Sequence, residues 1–324
     1  MKFLDVQAAD GVIRMAKIVK GADHFGESIS EETAFALMDR YVALGGNSID
    51  VARIYGKIRC GDMEGAYAHS EGVVGRWMKA RGNRDKIVLI TKGAHHNMNH
   101  PAEKRVTPEC IRSDLETSLK ELGVGHVDIY FLHRDDPTKP VGPIIDCLDE
   151  LVKAGKIRAA GASNWTAARI DEANAYAKAH GKTPFAVSQI QWSIARTTPE
   201  LWGDPSLVTM NEAEYAAYQK NQIPVMAYAS QSAGYFSKLS AGQELKPRVA
   251  LRFDSPENRE RFEQVMALCA RTGKTAAQIS LAYILSNPLP AAAIVGCSTV
   301  EQLEDSMAGM DFALDAKTCM ELVE

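Results

Sequence analysis

An aspartate, a tyrosine, a lysine and a histidine stand at positions from which they could act together on a carbonyl group. Asp50, Lys92 and His133 each close a separate apolar run, "GNSIDVA", "KIVLITK" and "HVDIYFLH", and Tyr55 follows Asp50 by one short loop. A phenol is a weak acid at neutral pH. A nearby ammonium stabilises its phenolate and is expected to lower its pKa, while a carboxylate holds the ammonium in place. Such a phenol could protonate a developing alkoxide, with His133 orienting the carbonyl oxygen between itself and the phenol. Each residue alone also has a plainer role, because strand-end aspartates often pair or cap and a lone histidine is more often a satisfied structural group.

The stretch "TKGAHHNMNH", residues 91 to 100, offers a second chemistry. Three imidazoles, His95, His96 and His100, could meet part of the ligand demand of zinc. Adjacent histidines point apart on a strand, however, and Asn97, Asn99 and Pro101 mark an irregular loop. No metal is therefore expected, and a metal-dependent barrel enzyme remains an alternative.

The elements that would position these groups alternate regularly. Eight apolar segments, "AKIVKGA", "GNSIDVA", "KIVLITK", "HVDIYFLH", "IRAAGAS", "AVSQIQW", "IPVMAYA" and "AAAIVGC", are separated by amphipathic stretches. In "SEETAFALMDRYVALG", Phe35, Met38, Tyr41 and Val42 share one helical face and Gly45 supplies a stop. In "TPECIRSDLETSLKELGV", Thr107 is the expected N-cap, Pro108 opens the helix and Gly123 ends it. This rhythm predicts an α/β fold, a (β/α)8 TIM barrel with a short N-terminal extension and long loops at the C-terminal face, as one domain over residues 1–324. An open doubly wound sheet is disfavoured because no Gly-x-Gly-x-x-Gly turn follows the first strand. In a barrel, the loops after the strands converge on the site. They carry His24, Asp50 with Tyr55, Lys92, His133, Ser163 with Asn164, Gln189 and Tyr228.

Composition narrows the function classes. With 46% hydrophobic and 24% charged residues, the chain is an ordinary globular one. A formal net charge of -4, with no basic stripe, argues against nucleic acid as a partner. No apolar run is long enough to span a bilayer, and "MKFLDVQAAD" does not read as a signal peptide, so a cytoplasmic location is expected. Cys60, Cys110, Cys147, Cys269, Cys297 and Cys319 form no Cys-x-x-Cys pair, and most are expected to be buried thiols.

The segments "NSIDVARIYG", "SEGVVGRWMK", "ITKG", "LGVGHVDIYFLH", "GKIRAAGASNW" and "IVGCSTVEQLED" resemble, in order, those of the aldo-keto reductase family from about residue 20 to residue 310. The resemblance implies reversible reduction of a small aldehyde, ketone or sugar carbonyl by direct hydride transfer from NADP(H), or alternatively NAD(H). Asp50, Tyr55, Lys92 and His133 would be the catalytic tetrad, with Tyr55 as general acid. Ser163, Asn164 and Gln189 would hold the nicotinamide carboxamide, and Tyr228 would stack on its ring. Ser230 and Gln231 would meet the pyrophosphate, and Ser298, Gln302, Asp305 and Ser306 the adenosine end. Phe25, His95, Trp165 and Trp202, with His24, would line the substrate pocket, and Trp77 and Trp192 would be packing. The chain departs from the family where Val51 replaces a common threonine and where Cys297 and Ser298 stand in place of an Arg or Lys that binds the 2'-phosphate. A missing cation there removes a contact worth about 1.5 to 3 kcal/mol, which Lys238, Lys246, Arg248 or Arg252 could restore from the loop after the seventh segment. A cofactor-sensing regulatory subunit, resembling potassium-channel β subunits, is the second class that the resemblance allows.

Overall fold

Each of the eight apolar segments carries one strand of a closed parallel barrel. The computed structural model describes residues 2–56, 70–96, 100 and 102–323; Cys60, Asn97, Asn99 and Pro101 lie outside them. Two antiparallel strands come first, β1 (Phe3–Ala8) and β2 (Gly11–Ala16). The barrel strands follow as β3 (Ile18–Gly21), β4 (Ser48–Asp50), β5 (Val88–Gly93), β6 (Val127–Leu132), β7 (Ile157–Ser163), β8 (Phe185–Gln191), β9 (Val225–Tyr228) and β10 (Ala291–Val295). They pair in sequence order, and β10 closes the ring against β3.

Helix boundaries follow the local chemistry. Thr107 accepts from Cys110 N, Pro108 occupies the first turn, and Gly123 takes the left-handed conformation (φ 66°) that ends the helix Pro108–Leu122. In the helix Glu31–Ala43, Met38 and Tyr41 are fully buried, while Phe35 and Val42 pack at the edge of the core.

Strand alternation divides the core into two layers. Val19, Ile90, Ile129, Phe131, Val187, Met226 and Ala292 fill the barrel interior, whereas Ile18, Ile49, Leu89, Tyr130, Leu132 and Ile190 face the helices. The N-terminal extension is a hairpin whose Leu4, Val6, Ile13 and Met15 join the interior cluster, so it plugs the end of the barrel opposite the strand termini. Tight packing also explains Gly161, where a Cβ would collide with the Phe131 ring.

One buried polar contact ties a helix to a barrel strand. Glu71, in the helix Ser70–Arg81, is fully buried and accepts a 2.6 Å hydrogen bond from Thr91 Oγ1 on β5. Its other oxygen has no partner among the described residues, and burial pushes the carboxyl up to about 7. A carboxyl raised this way favours the fold while protonated and loses that contribution as pH rises through about 7. The neutral isostere Glu71→Gln should match wild type near pH 5 in urea unfolding and exceed it by about 3 kcal/mol near pH 8.5. A difference that does not change with pH would contradict this account.

Candidate active site

At the open end of the barrel, β4 and β5 place Asp50 and Lys92 side by side. Lys92 is fully buried and Asp50 nearly so, with Lys92 Nζ 2.6 Å from Asp50 Oδ2. The ammonium also donates to Val51 O at 3.0 Å and to the Tyr55 hydroxyl at 3.0 Å, and it lies 4.6 Å from the Tyr55 ring centroid. Burial pushes the Lys92 pKa down and the Asp50 pKa up; their mutual attraction opposes both shifts. From the far side of the mouth, Gln189 Nε2 donates to Asp50 Oδ1 at 3.0 Å.

His133 completes this group. Its ring lies 5.8 Å from Tyr55, edge to face, and 4.8 Å from His95. Burial, then the neighbouring His95 and Arg134, hold the His133 pKa well below the ordinary histidine value, so the imidazole is neutral. Its Nδ1 is buried with no protein partner among the described residues. The expectation of a lowered phenol pKa is corrected here. Desolvation of the buried phenol, and then the charges of Asp50 and Asp23, hold Tyr55 well above the ordinary tyrosine value, with Arg134 opposing.

Asn164 links the tetrad to the next set of expected contacts. Its backbone is left-handed (φ 58°), and its amide nitrogen donates to His133 O at 3.3 Å and to Ser163 Oγ at 3.2 Å. Its amide oxygen accepts from the Tyr228 hydroxyl at 2.9 Å and from Val208 N at 3.2 Å. Trp202 meets Tyr228 edge to face at 6.3 Å, and the Arg252 guanidinium stacks 3.8 Å from the Trp202 ring.

The residues expected at the adenosine end form a second network. Ser230 Oγ donates to Ile294 O at 2.7 Å, Gln231 Nε2 donates to Ser306 Oγ at 3.1 Å, and Cys297 Sγ lies 3.6 Å from Ser306 Oγ. Gln302 Oε1 accepts from both N and Oγ of Ser298. Asp305 does not join them, because its carboxylate accepts from Thr275 and Gln278 at the start of a neighbouring helix.

The expected substrate residues separate. His24 is half-buried and pairs with Asp23 at 3.2 Å. Phe25 and Trp165 are fully buried: Phe25 packs under Lys20, and Trp165 donates to Arg134 O and packs on Phe185. His95 packs on His96 (ring centroids 4.4 Å apart) and His133, while His100 is exposed. Among the described residues no three His, Cys, Asp or Glu side chains are grouped as metal ligands.

Two charged residues at the mouth escaped the sequence reading. Arg134, directly after His133, donates to Asp204 Oδ2 at 2.9 Å and Ser206 Oγ at 3.0 Å and anchors the loop after β8. Asp23 stands close enough to bias Asp50, Tyr55 and Lys92. The only sequence signal for either was a charge directly beside an expected site position.

The side chains at this end of the barrel fit a nicotinamide dinucleotide in their chemistry: Ser163, Asn164 and Gln189 bring amide and hydroxyl groups to the strand ends near Tyr228, and His133 Nδ1 is a buried polar atom with no partner among the described residues. The model of the Aldo/keto reductase family matches residues 17–324. The chain is 28% identical to norsolorinic acid reductase stcV of Emericella nidulans, over 96% of this chain and 78% of that protein. It is 28% identical to the uncharacterized oxidoreductase YrpG of Bacillus subtilis, over 94% of this chain and 90% of that one. An aryl-alcohol dehydrogenase [NADP(+)] of Phanerodontia chrysosporium is 26% identical, over 89% of this chain and 74% of its own.

The buried pair itself can be tested by stability. Asp50→Asn strands the Lys92 ammonium and should cost about 3 kcal/mol or more in urea unfolding, whereas the double variant Asp50→Asn, Lys92→Met should recover at least half of that loss. Additive single losses would mean that the two charges do not depend on each other.

Proposed function

The chain belongs to the aldo/keto reductase family and is a nicotinamide-dependent oxidoreductase acting on carbonyl groups; from that premise we propose that it reduces a small aldehyde, ketone or sugar carbonyl, reversibly, with Tyr55 as general acid. The observation that carries this reading is the unbroken hydrogen-bonded chain from Gln189 through Asp50 and Lys92 to the Tyr55 hydroxyl. We take residues 1–324 as one functional unit acting on a small molecule in the cytoplasm. Among the described residues no helix is long and apolar enough to cross a membrane.

A bound nicotinamide dinucleotide supplies the hydride. The chain's own residues do the rest. His133, neutral, and the Tyr55 hydroxyl converge on the carbonyl oxygen and orient it. As negative charge develops on that oxygen, Tyr55 passes its proton to it, and the Lys92 ammonium, 3.0 Å away, stabilises the phenolate left behind. The high pKa of the resting phenol keeps the donor protonated across the neutral range, so every encounter finds it loaded. Ser163, Asn164 and Gln189 would hold the carboxamide, and Tyr228 would pack on the nicotinamide ring.

NADP is the preferred cofactor in this reading, since Lys238, Lys246, Arg248 and Arg252 cluster in the segment after β9. Arg252 is drawn toward Trp202 and Tyr228, and burial with the adjacent Arg248 charge lowers its pKa to about 10. A phosphate beside it would relieve that repulsion.

Tyr55→Phe should lower the turnover of carbonyl reduction at least about a hundredfold, the scale of general acid catalysis, while NADPH binding followed by tryptophan fluorescence stays near wild type. Near-normal turnover would refute the proton-donor role. Arg252→Ala should weaken NADPH but leave NADH unchanged; equal effects on the two would remove it from 2'-phosphate recognition.

A further inference from the structure

Lys20 is a lysine in the middle of an otherwise apolar strand, and it is buried to 1% exposure. Val19 before it faces the barrel interior, so Lys20 points with Ile18 toward the helix layer. Its Nζ donates to Gly21 O at 2.6 Å and to Cys297 O at 3.2 Å, and it lies 4.7 Å from the Phe25 ring centroid. An ammonium has three donors, and among the described residues no carboxylate stands within ion-pair distance of this one. Burying a cation without an anion is costly. Burial accordingly lowers the Lys20 pKa to about 8, with Cys297 and the more distant Asp23 opposing the shift.

The carbonyl that Lys20 holds belongs to the turn between β10 and the helix Val300–Ala308. The chain has no Arg or Lys in that turn; its residues are Gly296, Cys297 and Ser298. Gly296 leaves the turn open, since a Cβ there would meet only Asp23 Oδ1, at 3.9 Å. A helix start favours an anion by its own dipole, and the ammonium behind the turn adds a full charge in a poorly solvated setting.

We propose that Lys20 supplies from β3 the positive charge that the Gly296–Ser298 turn lacks, and that a phosphate of the bound nicotinamide dinucleotide is its counter-anion. The inference rests on the cofactor reading above. Lys20 is a positioning residue here: it acts across the turn by its charge and by holding the Cys297 carbonyl, without touching the reacting atoms. Because an anion favours the charged lysine, cofactor binding must raise the Lys20 pKa. A proton is then taken up on binding in the range just above the free value.

The test is titration of the purified full chain with NADPH, NADH and, as a phosphate-free control, adenosine, by calorimetry in buffers of different ionisation heat. Wild type should take up about half a proton per dinucleotide near pH 8.5 and bind less tightly as pH rises through about 8. Lys20→Met, which keeps the apolar stem, should bind dinucleotide about tenfold more weakly at neutral pH, with no proton uptake, no change toward adenosine and an undiminished melting temperature. Lys20→Arg should restore affinity and make it independent of pH up to about 9. Equal loss for NADPH and NADH assigns the charge to the pyrophosphate, and loss for NADPH alone assigns it to the 2'-phosphate. Proton uptake that persists in Lys20→Met, or a fall in melting temperature with dinucleotide affinity unchanged, overturns the proposal and leaves Lys20 a structural clamp. A wild-type chain that binds neither dinucleotide overturns the cofactor reading as well.

Discussion

The Lys92–Asp50 pair is the constraint on which the mouth of the barrel depends. Two opposite charges at 2.6 Å, both almost wholly out of water, are tolerable only when further hydrogen bonds satisfy their remaining atoms. Those bonds come from Val51 O and Tyr55 beside the pair and from Gln189 on β8, which lies across the ring from β4. Satisfying one buried pair therefore ties distant strands together at their carboxyl ends. The ladder beneath must keep its register for this to happen, and the pairing of Asp50 with Ile90 sets the lysine two residues further along the neighbouring strand.

The same pair decides what kind of reagent the phenol is. The ammonium favours the phenolate, but desolvation of the buried phenol and the carboxylate of Asp50 oppose it and keep the resting hydroxyl protonated. Tyr55 thus rests as an acid, and His133, stripped of charge by burial, rests as a neutral dipole. Neither group needs to change protonation state before a carbonyl arrives.

Much of this was legible in the sequence, and the reasons are physical. The barrel strands are short, apolar and bounded by polar residues, so their ends announced Asp50, Lys92 and His133, and the cap chemistry of Thr107 and Gly123 fixed a helix to the residue. The N-terminal hairpin was missed, although "FLDVQAADGVIRMA" alternates around an Asp-Gly turn, the usual local signal for one. Burial was the other gap. Trp165 and Phe25 neighbour site positions in sequence but turn into the core, and Asp305 is taken up by Thr275 and Gln278, partners some 30 residues away in the chain. The Tyr55 pKa runs opposite to the pairwise expectation because that rule leaves out, first, the desolvation of the buried phenol and, second, the Asp50 charge.

The hairpin makes the two ends of the barrel unequal. Leu4, Val6, Ile13 and Met15 join the interior cluster and close the base of the barrel, while Lys92 stands at the opposite, carboxyl end of β5. Because that base is sealed by packed apolar side chains, the carboxyl end that carries Asp50, Lys92 and His133 is the one whose loops can vary without disturbing the core.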